Sequence, residues 1–404
     1  MRLGLDRVLL DDTLLARLRG RRVAVLANPA SMTSLELGFE HALDALVDRL
    51  GGAVVAAFGP QHGMRGDKQY NMEESADYVD ARHGIPVFSL YGDVRRPTQA
   101  MLEAFDVVLF DLQDVGWRGY TWVATLLYML EGCAASGKEI WVLDRPNPAG
   151  RPVEGKRLQP GQESFVGVVP VPQRHGLTLG EMARYMAAHF RLDVALEVIE
   201  MEGYRPGEAP GYGWPEDRVW VNPSPAITNL NGVRCYNGTV LLEGTHLSEG
   251  RGTTTPLEVF GAPGLPVAEI LAEMERLAPE FCAGCRLRPC FFAPFFDKYT
   301  GELCAGVQIH ADFPGYDPEA FRPYRLISAL LRAARTVDPE RELWRDFPYE
   351  YEPGRLPIDV INGGPSLREW VDDAAATAGD WDSLLRPDEE SWLQERSPHL
   401  LYGC

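Results

Sequence analysis

An α/β fold, with a parallel sheet covered by helices on both faces and a smaller α+β domain after it, is what the sequence predicts. Three observations point there. Short β-rich apolar runs alternate with amphipathic stretches through the first half of the chain. Each run ends, on the same side, in a polar cluster. The length, 404 residues, exceeds one ordinary core and allows two domains.

The apolar runs lie at 23–27, 53–58, 87–90, 107–110 and 140–143, with helical patterns at 37–50, 97–104 and 120–136 between them. Strands spaced by helical patterns indicate βαβ units. Their near-continuous apolarity predicts a sheet buried on both sides. The polar clusters at 28–31, 59–63, 91–93, 111–114 and 144–147 then fall at the carboxyl ends of the strands, where open parallel sheets bind ligands. A Pro- and Gly-rich stretch, 203–225, reads as a connection or a long active-site loop. Beyond it, 229–263 is mixed, 267–277 and 323–337 read as helices and 306–312 as a strand. The tail holds 358–370 and a final helical stretch ending at 400–402. The division expected is 1–228 and 229–404.

The formal net charge is −19, from 39 basic and 58 acidic residues. This balance excludes a general basic footprint for nucleic acid and docking on anionic membranes. It still permits an anionic small ligand held by a few local arginines. No apolar run approaches the ~20 residues of a membrane span. The opening stretch, MRLGLDRVLLDDTLLARLRG, is punctuated by charge and has no apolar core of a secretory leader, so a cytoplasmic protein is expected. A leader removed upstream of it would change that expectation.

Seven cysteines, Cys133, Cys235, Cys282, Cys285, Cys290, Cys304 and Cys404, are scattered rather than framed as disulfides. Cys282, Cys285 and Cys290, with Cys304 following, admit a zinc reading. The second pair lacks a tight knuckle spacing, which favours free thiols. There is no phosphate loop, no G-x-G-x-x-G, no G-x-S-x-G and no H-E-x-x-H. Neither cofactor nor metal is expected.

Four segments carry the candidate chemistry. In the first, which includes Gln61, Gly63 and Gly66 allow a tight loop that points His62, Arg65 and Asp67 into one place; a turn with incidental polar residues is the plainer reading. In the second, Asp111, Gln113 and Asp114 offer acceptors for sugar hydroxyls or a metal, and Trp117 and Tyr120 offer rings to stack on a pyranose, with Arg118 between them. The plainer reading makes Asp114 a helix N-cap. In the third, Asp144, Arg145 and Asn147 form either a buried ion pair or a carboxylate clamp. In the fourth, Glu243, Glu249, Arg251 and Thr253 sit among glycines with no helical periodicity. Glycosidases need two carboxyl groups flanking the scissile bond, and Glu249 and Glu243 are candidates. Glutamates capping turns are the alternative.

The strings HGMRGD, DLQDVGWRGYTW, VLDRPNPAGRPVEG, FVGVVPVPQRHGLTLGEMARY, NPSPAITNL and EGTHLSEGRGTTTPLEVFGAP, in this order, resemble the exo-β-N-acetylmuramidases of the NamZ type, a bacterial glycoside hydrolase family. The resemblance runs from about residue 23 to 402. It implies a Rossmann-like first domain, a smaller second one, a cleft between them, and release of terminal N-acetylmuramic acid from peptidoglycan-derived saccharides. It fits a cytoplasmic role in cell-wall recycling. The lactyl carboxylate of muramic acid would meet Arg65, Arg118, Arg145 and Arg251 in the matching segments.

One residue departs from the resembled pattern, which reads Glu-His-Gly where this chain has Gln61-His62-Gly63. An amide is no proton donor of comparable strength. Three readings stay open. Glu73 or Glu74 supplies the acid; Gln61 positions water while Glu249 or Glu243 moves the proton; or the chain only binds sugar, or acts on a different one. A metal-dependent hydrolase built on His62, Asp111, Asp114 and Asp144 ranks last, because their spacing matches no metal motif.

Overall fold

The computed structural model describes residues 1–208 and 213–403, so Cys404 and part of the loop at 203–225 lie outside the described residues. Seven strands form the first sheet: β1 (Val23–Ala27), β2 (Val54–Gly59), β3 (Tyr78–Val79), β4 (Pro86–Ser89), β5 (Val107–Asp111), β6 (Glu139–Leu143) and β7 (Ala195–Ile199). Their order is β3-β4-β2-β1-β5-β6-β7. All neighbours are parallel except β3, which runs antiparallel to β4. Counted along the chain, the six parallel strands stand in the order 3-2-1-4-5-6, which is the Rossmann arrangement.

Side chains alternate across this sheet with the strand period of two. Val23, Val25, Leu109, Trp141 and Leu143 face one side, where they pack on the helices Gly4–Leu10, Asp12–Leu18 and Ala42–Leu50. Ala24, Leu26, Phe58, Phe110 and Val142 face the other, against Thr121–Ser136 and Leu179–His189. The expected coverage on both faces is present. The sheet has two strands more than the five apolar runs. The helix expected at 37–50 begins only at Ala42, after a 3-10 turn at Leu35–Leu37, because the His41 ring accepts the Leu43 amide and caps it there.

The second domain carries a three-stranded antiparallel sheet, with β8 (Val259–Ala262), β9 (Arg286–Phe292) and β10 (Cys304–His310) in the order β8-β10-β9. Its helices include Leu230–Thr239, Val267–Leu277 and Pro323–Val337. The apolar core on its side of the first sheet continues without a break through Tyr236, Leu241 and Ile327. The chain then returns to the first domain. In the helix Ala378–Arg396, the Trp392 indole donates to the His175 carbonyl at 2.8 Å. Tyr402 donates to Asp144 at 2.7 Å, and packs beside Leu3, Met201 and Tyr204.

Helices Leu230–Thr239 and Pro323–Val337 cross at Gly238. A Cβ there would lie 2.0 Å from the Pro323 carbonyl oxygen. Gly238→Ala is therefore expected to force the helices apart and cost about 1–3 kcal/mol, read as a lower urea midpoint. An unchanged midpoint would mean that the crossing is looser than described. Among the described residues no helix is long and apolar enough to cross a membrane.

Candidate active site

The switch point of the sheet, between β1 and β5, is where a Rossmann-like fold usually opens a ligand crevice. Here polar side chains bond one another across it. Arg145 is bidentate on Asp111, at 2.6 and 2.7 Å, and also donates to the Met32 carbonyl. Ser31 donates to the Asp111 carbonyl and Gln113 to the carbonyls of Asp114 and Pro146. The pocket that remains there is lined by Ala30, Met32, Arg145 and Trp214, among others, and among the described residues Asp217 is the one carboxyl group in its lining.

A second pocket, displaced towards the second domain, gathers the chemistry. Gln61, His62, Trp117, Tyr120, Thr121, Glu243, Arg251, Tyr349 and Glu350 line it. Each arrives by a local device. Gln61 and His62 follow β2 in a tight turn in which the Gly63 amide returns to the Pro60 carbonyl at 2.9 Å. His62 and Gly63 both have positive φ, 69° and 80°; the glycine adopts it freely and the histidine at a cost. Tyr120 is the N-cap of Thr121–Ser136. Glu243 lies in a 3-10 turn, Val240–Gly244, that prolongs the helix Leu230–Thr239. Glu350 and Tyr351 stand at φ 47° and 65°, in a turn bridged from Tyr349 to Glu352. Left-handed non-glycine residues cost about 1–3 kcal/mol each and gather where function constrains the backbone.

The three buried carboxyl groups differ in their partners. Glu243 accepts from Arg251 at 2.6 Å through one oxygen and from the Tyr349 hydroxyl at 2.6 Å through the other. Glu249 lies behind the pocket, where its carboxylate accepts from Lys298 at 2.7 Å and pairs with Arg251 at 3.3 Å. Burial opposes its charge, but Lys298 and Arg251 outweigh that and hold it below the usual carboxylate range. Glu350 accepts from the Tyr91 hydroxyl at 2.9 Å and from the Gln61 amide at 3.4 Å. Gln61 is fixed in turn by the Thr121 hydroxyl, which donates to it at 2.8 Å. Burial pushes the Glu350 carboxyl up to about 7, Glu243 adding to that effect.

His62 is neutral here. Its Nδ1–H donates to the Lys68 carbonyl at 2.9 Å, and burial pushes the ring down to about 4. Its Nε2 is thus an acceptor.

Several residues read from the sequence as one anion site are scattered. Of the four arginines only Arg251 lines the pocket. Arg65 is bidentate on Asp44, at 3.2 and 2.9 Å, and Asp67 is largely exposed, so the first loop does not converge as expected. Arg118 is buried and spends its donors on main-chain carbonyls. Arg145 pairs with Asp111 and not with its neighbour Asp144, which accepts from Thr178, Gly180 and Tyr402. Asn147 caps its own turn through the Ala149 amide, and Thr253 donates to the Gly250 carbonyl. Asp114 accepts the Gly116 amide and is not the helix N-cap.

Glu73 lies near Lys68 and Glu74 pairs with Arg95, both exposed and outside the pocket. Among the described residues no three His, Cys, Asp or Glu side chains converge as metal ligands, the aspartates after β5 and β6 and Cys282, Cys285, Cys290 and Cys304 included. Sequence reasoning missed Glu350 and Tyr349, and took Tyr91 only as part of the strand-end cluster 91–93 without assigning it a role. Glu350 and Tyr349 stand in a Tyr-Glu-Tyr turn with no glycine and no preceding apolar strand to mark it.

The model for the N-terminal part of exo-beta-N-acetylmuramidase NamZ matches residues 23–231, and that for its C-terminal part matches residues 234–402. Peptidoglycan beta-N-acetylmuramidase NamZ of Bacillus subtilis (strain 168) is 35% identical over 339 residues, covering 83% of this chain and 78% of that protein. Crystal structures of two DUF1343 family proteins from Bacteroides fragilis, both 26% identical, are similar with TM-scores of 0.84 and 0.77. The first comparison covers 100% of this chain and 99% of the other, the second 99% and 98%. With both halves matched, the chain belongs to the NamZ family of exo-β-N-acetylmuramidases.

Proposed function

We propose that this chain is an exo-acting glycosidase that releases terminal N-acetylmuramic acid from peptidoglycan-derived saccharides, and that its pocket lies where domains 1–228 and 229–404 meet. The observation that carries this reading is the pairing of two buried carboxyl groups of unlike environment, Glu243 and Glu350, on one pocket. Unlike environments are what separate an acid from a base in glycosidases. Trp117, Tyr120 and Tyr236 give that pocket the aromatic wall a sugar ring needs, and Trp117 and Tyr236 meet edge to face at 5.5 Å. Arg251 is the cation on hand for a lactyl carboxylate.

The test is hydrolysis of a chromogenic β-N-acetylmuramide beside the β-N-acetylglucosaminide, which lacks the lactyl group. The muramide is expected to be cleaved at least about tenfold faster in kcat/KM, the scale of one added polar contact. Release of sugar from neither substrate defeats the reading.

Gln61 favours one other possibility, a homologue that binds the saccharide without cutting it. Calorimetric binding with the saccharide recovered intact would establish that instead.

A further inference from the structure

We propose that Glu350 is the proton donor to the glycosidic oxygen in this chain, set against Gln61 by the strained turn at residues 349–352 and doing what an amide at position 61 cannot. The inference rests on the glycosidase reading above and names the acid it leaves unassigned. The geometry is specific. Glu350 lines the pocket, is only 7% exposed, and holds its carboxyl within reach of Gln61, which also lines it. Glu243 is tied to Arg251, and Glu249 to Lys298 and Arg251. Glu350, among the described residues, makes no ion pair.

The groups facing it are few. Tyr91 and Gln61 donate to it. Arg95 lies over the Tyr91 ring, 3.9 Å from its centre, and pairs with Glu74. Glu243 approaches from the 3-10 turn and repels its charge. With its ring neutral, His62 has no proton to give to a leaving oxygen at neutral pH. A carboxyl pushed up to about 7 by burial stays protonated where an ordinary glutamate would not.

In the step itself the bond between the anomeric carbon and the glycosidic oxygen breaks, its electron pair leaving on oxygen. That oxygen takes the proton of Glu350. Water supplies a hydroxyl to the anomeric carbon, and its remaining proton restores the Glu350 carboxyl by way of Glu243 or solvent. The sum is one glycoside and one water converted to two sugars.

A donor matters only as much as the leaving group needs a proton. The experiment compares wild type and Glu350→Gln on a muramyl-glucosamine disaccharide and on 2,4-dinitrophenyl β-N-acetylmuramide, whose phenolate departs unaided. The variant is expected to lose about 10²–10⁴-fold in kcat/KM on the disaccharide and less than about tenfold on the dinitrophenyl glycoside. Retained activity on the second substrate also reports a folded protein. The alkaline limb of the wild-type profile, near pH 7, is expected to vanish in the variant.

Should Glu350→Gln not fold, Tyr91→Phe serves. It removes a donor to the carboxylate, so the limb should move to higher pH. Equal losses on both substrates, or an alkaline limb that neither variant moves, overturns the assignment while leaving the glycosidase in place. A wild type inactive on both substrates overturns the glycosidase and the assignment together.

Discussion

Replacing Glu243 by Gln is expected to lower kcat/KM on β-N-acetylmuramides about 10³-fold, or about 4 kcal/mol of transition-state stabilisation. Both oxygens of this carboxylate accept hydrogen bonds, from Arg251 and from Tyr349, so its position in the pocket is fixed by two donors on opposite sides. Glycoside cleavage develops positive charge at the anomeric carbon, and a fixed anion beside it acts mainly in the transition state. The amide keeps the shape and loses the charge; its oxygen can still accept from Arg251 while its N–H donates to the Tyr349 hydroxyl, so the charge is what the substitution removes. Its signature differs from that of Glu350. The loss should be similar for good and poor leaving groups, because the charge serves the sugar and not the departing oxygen.

Glu249→Gln is the control. It sits behind Arg251 and off the pocket, and removing its charge leaves Lys298 buried with two main-chain acceptors. Breaking such a pair costs about 3–5 kcal/mol of stability. A larger loss of activity from Glu249→Gln than from Glu243→Gln, in protein of equal stability, would reverse the two assignments.

What the sequence made legible follows from how local each signal was. β1 and the helices Val267–Leu277 and Pro323–Val337 are found to the residue, because an unbroken apolar run or a 3.6-residue stripe marks each one. β3 is two residues long and exposed, and β9 carries Arg286, Arg288 and Pro289 on a sheet edge, so neither presents a buried pattern. Gln61, Glu243 and Arg251 could be picked out beside glycines that bend the chain. Glu350 could not, since its partner Gln61 is 289 positions away and only the fold joins them. The harder failure concerns polar residues that are real but inward-looking. A sequence reports that Arg145 can donate, and not that Asp111, 34 positions earlier, already accepts from it. Strand-end position therefore overcounted the residues free to meet a ligand.

Arg118 is the clearest case, and Arg118→Met is expected to cost at least about 3 kcal/mol of stability while leaving KM unchanged in the protein that still folds. The side chain is 1% exposed. Its Nη1 donates to the carbonyls of Lys156 and Val171, at 2.9 and 3.2 Å. Its Nη2 donates to those of Ile361 and Asn362, at 3.5 and 2.8 Å. The last two end the helix Pro357–Asn362, whose C-terminal dipole and unpaired carbonyls favour a cation. Gly363 follows in the left-handed conformation, φ 76°, and a Cβ there would stand 2.6 Å from Nη2, so the glycine makes room for the guanidinium. Burial pushes Arg118 down to about 10, which still leaves it charged at neutral pH. One residue from the first domain thus ties two loops of that domain to a helix end of the second. Methionine fills part of the space and satisfies none of the four acceptors; Gln173 still donates to the Asn362 carbonyl and the Leu158 amide to that of Val171, so the cost falls on the Lys156 and Ile361 carbonyls, at about 1–3 kcal/mol for each buried carbonyl left unpaired. The measurement is a urea transition alongside KM for the muramide at a temperature where the variant is folded. An unmoved transition with a raised KM would return Arg118 to the substrate and remove it from the frame.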